Sequence, residues 1–326
     1  MERREFIALL CGTVVGWPCA ARAQQLAVPT VGFLSPGSSK SDTGRMRAIL
    51  RGLAESGYVE GQNVLIAYRG ADGQLDQLPA LAADLVDRQV AVIITAATQA
   101  TLAAKAATTT IPIIFTVGVD PAEFGIVASL NRPGSNLTGL SGLNVAAMGK
   151  RLELSHELVP SAGAIALLAN LNSVVTEAET KAARAAARAL GVELRVLGVS
   201  NEREIDTAFV TLAKEQPLPL VISGDPMFTN HMVQLVVLAA RYVVPTIYSF
   251  REFTAAGGLM SYGTDLPDTY RQVGVYAGRI LKGAKPTELP VQQVVKVELV
   301  LNLKTAKTLG LTFPEALLAR ADDVIE

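Results

Sequence analysis

Val90-Ala91-Val92-Ile93-Ile94-Thr95-Ala96-Ala97-Thr98-Gln99-Ala100-Thr101-Leu102-Ala103-Ala104-Lys105-Ala106-Ala107-Thr108-Thr109-Thr110-Ile111-Pro112-Ile113-Ile114-Phe115-Thr116 is the stretch that decides the fold. A β-branched apolar run predicts a strand over 90–95. A small polar loop leads into an alanine-rich helix over 98–107, and a second β-branched run predicts a strand over 111–116. Neither run alternates with polar residues, as expected of strands buried on both faces. A strand, a helix and a further buried strand in about 27 residues is one unit of a parallel α/β sheet.

The same unit recurs on either side. Upstream, strands are predicted over 28–34 and 63–68, with a loop at Ser35-Pro36-Gly37-Ser38 and a helix over 42–56. Leu78, Leu81, Ala82 and Leu85 mark one face of another helix at 3.6-residue spacing. A short helix is expected over 124–130. Asn131-Arg132-Pro133-Gly134-Ser135-Asn136 is a turn-rich break. An extended piece at 138–143 then leads into a helix over 146–158. Beyond it the pattern restarts, with strands over 164–169, 193–197, 218–223, 245–249 and 259–262. The helix over 174–190 should bury Val175, Ala178, Ala182, Ala185 and Ala189, keep Glu177 and Lys181 paired on its wet side, and stop at Gly191. The reading is α/β, with doubly wound parallel sheets.

The N-terminus reads as an export signal. Met1-Glu2-Arg3-Arg4 is a charged start, 6–20 an apolar run, and Ala21-Arg22-Ala23 a small-x-small cleavage site. The run is too short for a membrane span. Cleavage after Ala23 predicts a mature, periplasmic chain from Gln24. Arg3-Arg4-Glu5-Phe6-Ile7 resembles a twin-arginine motif; that route and the general secretory route both lead out of the cytoplasm. Cys11, Cys19 and Trp17 all lie in this segment. The mature chain therefore has no thiol chemistry, and Leu10 and Pro18 are too large for a lipid-anchor site. Its length exceeds what one core normally serves, so two domains are expected. Net charge is −1, and no basic stripe suggests nucleic acid.

In open α/β sheets ligands sit beyond the carboxyl ends of the strands. Those ends offer Ser35, Thr98, Gln99, Asp120, Asn170, Asn172, Asp225, Tyr248, Phe250 and Tyr262. Hydroxyl and amide groups at helix starts suit a carboxylate. Asp120-Pro121 and Asp225-Pro226 put single acids where an ammonium or hydroxyl could be held, although Asp before Pro is also a common turn and cap residue. Aromatic walls with a few polar anchors describe a small-molecule pocket. Phe33 and Phe115 read as core, and Thr98 also suits an N-cap. His156 and His231 read as surface residues. Arg251-Glu252 reads as a solvated pair, with cleft-facing Arg251 as the other reading. The chain has no Gly-x-Ser-x-Gly elbow, and residues 32–37 lack the dinucleotide glycines. Residues 148–151 are not a phosphate loop, and no metal spacing occurs. No metal or cofactor is expected.

Several runs carry a resemblance. Tyr58-Val59-Glu60-Gly61-Gln62-Asn63-Val64, Ser129-Leu130-Asn131-Arg132-Pro133-Gly134, Phe250-Arg251-Glu252-Phe253, Gly257-Gly258-Leu259-Met260-Ser261-Tyr262-Gly263 and Asn302-Leu303-Lys304-Thr305-Ala306-Lys307 are among them. They resemble the ABC transporter substrate-binding family that includes tryptophan/tyrosine-type binding proteins. The resemblance implies a type I periplasmic-binding fold, with lobes 26–143 plus 257–288 and 144–256 plus 289–326 joined by three crossings. Gly257-Gly258 is the expected hinge. It also implies ligand loops at Ser35, Thr98-Gln99, Asp120, Asn170, Asn172, Asp225 and Tyr262. The implied partners are a small-molecule ligand and a membrane permease, the protein itself a monomer without nucleic acid. Ala97-Thr98-Gln99-Ala100 departs from the Gly-Thr-Pro-Ala of many relatives. The residues themselves leave open a secreted α/β hydrolase using Asp225 or Ser35, and a sensory ligand-binding core.

Overall fold

The computed structural model describes residues 28–214 and 218–326; the export-signal reading lies outside them. The first lobe opens with β1 (Thr30–Ser35), α1 (Thr43–Glu55), β2 (Leu65–Gly70), α2 (Leu78–Asp87), β3 (Val92–Ala96), α3 (Ala97–Ala107), β4 (Ile113–Val117) and β5 (Leu137–Ser141). The chain then crosses and continues with α4 (Met148–Leu158), β6 (Ala164–Asn170), α5 (Thr176–Leu190), β7 (Glu193–Val199), α6 (Glu202–Lys214) and β8 (Leu220–Ile222). Next come α7 (Pro226–Asn230), α8 (Met232–Arg241), β9 (Thr246–Tyr248), α9 (Arg251–Ala255) and β10 (Met260–Thr264). α10 (Leu266–Leu281) and β11 (Gln292–Gln293) return to the first lobe, and β12 (Val297–Asn302), α11 (Leu303–Thr308), α12 (Glu315–Leu318) and β13 (Asp323–Ile325) finish the second.

The sheets run β11-β5-β4-β3-β1-β2 and β13-β12-β10-β9-β8-β6-β7. Among the described strands every pairing is parallel except β10 with β12, which is antiparallel because β12 enters from the return crossing. Each sheet is covered on both faces by its own apolar clusters, so the central strands are continuous apolar runs. α10 seals one face of the first sheet against α1. The helices meet backbone to backbone: a Cβ on Gly52 would lie 1.9 Å from the Arg271 carbonyl oxygen, and one on Gly274 2.2 Å from that of Ile49. No helix among the described residues is long and apolar enough to cross a membrane.

Three expectations are corrected. Residues 124–130 form the end of a turn followed by bends, because Gly125 at φ 64° ends the first turn after Asp120. α5 buries Glu179, Ala183 and Ala187, while Ala185 and Ala189 are exposed; its inward face is turned by about one residue because Glu179 has polar partners inside. Glu177 and Lys181 are exposed as expected, but among the described residues no ion pair joins them; Gly191 ends the helix at φ 71°. The third correction concerns the crossings. β10 pairs with β9, so the second crossing is at Asp265, and Gly257-Gly258 is a turn inside the second lobe, not a hinge between lobes. β11 pairs with β5, and Val294 N–H still bonds the Ser141 carbonyl, so the third crossing falls at Val295-Lys296 rather than between residues 288 and 289.

Candidate ligand-binding site

The carboxyl ends of both sheets face one another across a cleft. Its inner part is a cavity of about 80 Å³ between Arg45, Ala97, Thr116 and Tyr270 of the first lobe and Gly224, Thr229, Phe250 and Thr264 of the second, with Asn144 of the first crossing in its wall. A smaller space of about 40 Å³ adjoins it, where Thr98 and Gln99 face Asp225 and Pro226. Beyond Asp225 the cleft opens into an outer chamber of about 690 Å³, lined by Ser38, Asp72 and Asp76 on one side and Asn170, Asn172, Glu202 and His231 on the other.

Local geometry positions these groups. β3 passes into α3 with no loop, and the turn is made at Ala97, whose φ is 66°. The helix caps on Ala96, not on Thr98, which is 3% exposed and faces the small space. Gln99 Nε2 donates to Ser173 Oγ of the opposite lobe at 2.9 Å. Arg45 is held by Asp42 at 2.6 Å and lies 5.6 Å from the centre of the Tyr270 ring. Asp42 also accepts the Tyr68 hydroxyl at 2.9 Å. Burial raises the Tyr270 hydroxyl, which lies 3.1 Å from Thr116 Oγ1. In the second lobe Asp225 caps α7. Its Oδ1 accepts from Met227 N at 2.9 Å and Asn170 Nδ2 at 2.8 Å, while Oδ2 is buried without a partner.

Thr98, Gln99, Asn170, Asn172, Asp225 and Phe250 thus line the cleft. Four expected residues do not. Ser35 is fully buried, its hydroxyl accepting the Gly37 N–H at 3.0 Å to hold its own loop. Asp120 is exposed and caps a turn through the Ala122 N–H at 2.8 Å. Tyr248 is fully buried, stacked on Phe253 with ring centres 4.7 Å apart. Tyr262 packs into the second-lobe core and offers only its carbonyl, to Arg151 Nε at 2.8 Å. Phe33 and Phe115 are core, as expected. His231 lines the outer chamber rather than open surface. Arg251 points away from the cleft, paired with Glu298 at 2.9 Å and Asp323 at 2.8 Å.

Arg45, Asn144, Thr229 and Tyr270 are cleft residues that the strand-end search missed, because they come from helices and a crossing. Arg151 and Glu179 were missed as well. Both are 0% exposed. Their signal was a charge at core spacing: Arg151 between Met148, Leu152 and Ser155, and Glu179 four residues before Ala183 and eight before Ala187.

Comparison with known proteins agrees with this architecture. A conserved domain protein from Vibrio cholerae superposes with a TM-score of 0.84 at 27% identity, over 91% of this chain and 99% of that one. The ABC domain from Streptococcus pneumonia in complex with L-Trp gives a TM-score of 0.83 at 26% identity, over 91% and 99%. The Tyrosine-binding protein of Clostridioides difficile is 27% identical over 265 residues, 81% of this chain and 76% of that protein. The sequence model of the ABC transporter substrate binding proteins matches residues 34–325. On a match of that extent, the chain belongs to the ABC transporter substrate-binding protein family.

Proposed function

We propose that this protein is the exported solute receptor of an ABC importer, that it closes its two lobes on an aromatic amino acid, and that it delivers the ligand to a membrane permease. One observation carries the reading. The inner cavity is walled by both lobes, which the Gln99–Ser173 hydrogen bond joins, yet its volume of about 80 Å³ is smaller than the roughly 150 Å³ that admits benzene. A ring-bearing ligand enters only if the lobes part and then re-close around it, which is the action of a hinged receptor. The chemistry of the walls suits such a ligand. Tyr270 and Phe250 line the cavity with aromatic rings, the start of α3 offers backbone N–H groups for a carboxylate, and the free oxygen of Asp225 suits an ammonium. Relatives named for tyrosine and complexed with L-Trp support the ligand class.

Calorimetry with L-tryptophan, L-tyrosine and L-phenylalanine tests the ligand. Saturable binding to at least one, with a smaller radius of gyration in solution scattering, is expected. Turnover of any of them, or no binding to all three, refutes the reading. N-terminal sequencing of periplasmic material, expected to begin at Gln24, tests export.

A further inference from the structure

Three polar side chains meet at the first crossing, inside the second lobe and behind the cleft wall. Arg151 on α4 and Glu179 on α5 are both 0% exposed, and the Asn144 amide lies between them. Asn144 Oδ1 accepts from Arg151 Nη2, and Asn144 Nδ2 donates to Glu179 Oε1 at 3.2 Å. Charge dictates this orientation: a flipped amide sets NH₂ against a guanidinium and C=O against a carboxylate. Gly224 leaves the room, since a Cβ there would stand 1.8 Å from Asn144 Nδ2, and its own N–H donates to Glu179 Oε1 at 3.3 Å.

Asn144 also lines both inner parts of the cleft. Its amide retains one hydrogen and one lone pair beyond those the two charges use. We propose that Arg151 and Glu179 are positioning residues for ligand binding: they act on the ligand through Asn144, whose amide they hold in one orientation in the cleft wall, and they tie the first crossing to the second lobe. The ligand half of this statement rests on the aromatic amino acid reading above; the clamp itself does not. Burial pushes the Glu179 carboxyl up to about 7, Arg151 pulling it down and Asp225 pushing it further up. The groups facing it are Arg151 from α4, Asn144 from the crossing, and Ser223, Gly224 and Asp225 from the loop after β8. Arg151 is faced in turn by Glu179 and by Tyr262 of β10. Glu179 Oε2 and Arg151 Nη1 have no partners, so the Asn144 amide is what joins the two charges.

The test has a ligand-free arm and a ligand arm. In protein carrying ¹⁵N-asparagine, the side-chain NH₂ pair missing from Asn144→Ala identifies residue 144. That pair is expected to shift with pH around a midpoint near 7 and to stop titrating in Glu179→Gln. A pair that stays flat from pH 5 to 9 in the parent and is also unmoved by Glu179→Gln overturns the clamp, whatever the ligand. With L-tryptophan as calorimetric probe, Asn144→Ala is expected to weaken binding about tenfold, one hydrogen bond's worth. Glu179→Gln is expected to weaken it severalfold in the parent and not at all in the Asn144→Ala background. Losses that simply add refute action through Asn144. A parent that binds none of the aromatic amino acids refutes the proposed ligand class, while the ¹⁵N titration still decides the clamp.

Discussion

Gln99 Nε2 of the first lobe donates to Ser173 Oγ of the second at 2.9 Å, a direct hydrogen bond between the lobes. It joins the first turn of α3 to the segment before α5. Gln99→Ala should therefore favour the open state. A neutral hydrogen bond contributes about 0.5–1.5 kcal/mol, so ligand affinity should fall by roughly 2- to 10-fold with little change in the melting of either lobe. Scattering of the ligand-free variant should give a larger radius of gyration. An unchanged radius and affinity would show that this bond does not hold the lobes together.

Asp225 has two tasks, one for each carboxylate oxygen. Oδ1 caps α7 and fixes Asn170; Oδ2 is buried and unpartnered. Asp225→Ala removes both, so stability should drop by about 0.5–2 kcal/mol for the lost cap along with affinity. Asp225→Asn separates them: the amide oxygen can keep the cap while the charge is lost. It should fold nearly as well as the parent and bind an amino acid about 10- to 150-fold more weakly, as expected for a charge-assisted bond of about 1.5–3 kcal/mol. Full affinity in Asp225→Asn would remove the ammonium from this position.

The alternation of strands and helices was legible because parallel strands buried on both faces are uninterrupted apolar runs, and Ile93 to Ile94 or Leu167 to Leu168 read as such without any partner in view. The lobe boundaries were not. β10 has the composition of any buried strand, and only its pairing with β9 assigns it to the second lobe. β11 is two exposed glutamines with no apolar signal at all. Within the site, strand-end loops were found, but side-chain direction was not. Tyr248 turns into the core because Phe253 is there to stack on. Arg45 and Tyr270 reach the cleft from α1 and α10, helices whose place is fixed by the glycine contact between them and not by any local motif.

Glu179 makes stability depend on pH with a sign opposite to that of an ordinary salt-bridged carboxylate. Its folded-state pKa is raised to about 7 from 4.5, burial being the largest cause. Between those values the native state binds more protons than the unfolded state, so this group's contribution to stability falls as pH rises through the window from about 4.5 to about 7. Above the folded pKa the buried charge costs its full amount; below the unfolded pKa it costs nothing. Glu179→Gln removes the titration. Urea midpoints measured from pH 5 to 8 should decline in the parent relative to Glu179→Gln across that window. Parallel profiles would mean that Glu179 is ionised in both states throughout.

Ala97 turns the chain from β3 into α3 at φ 66°, a left-handed conformation that an L-residue adopts at a cost of roughly 1–2 kcal/mol. Ala97→Gly removes that strain but adds roughly 0.5–1 kcal/mol of unfolded-state entropy, so the net change should be stabilisation of about 1 kcal/mol or less. Ala97 also lines both inner parts of the cleft, where a larger side chain would meet the ligand. Ala97→Val should therefore lose twice, in stability because a β-branched residue tolerates positive φ poorly, and in affinity because the cavity is filled. The glycine variant should bind as the parent does. Denaturant midpoints in the order Gly, Ala, Val, with affinity lost only in Val, are the expected pattern. A glycine variant less stable than the parent would show that the turn at Ala97 stores no strain.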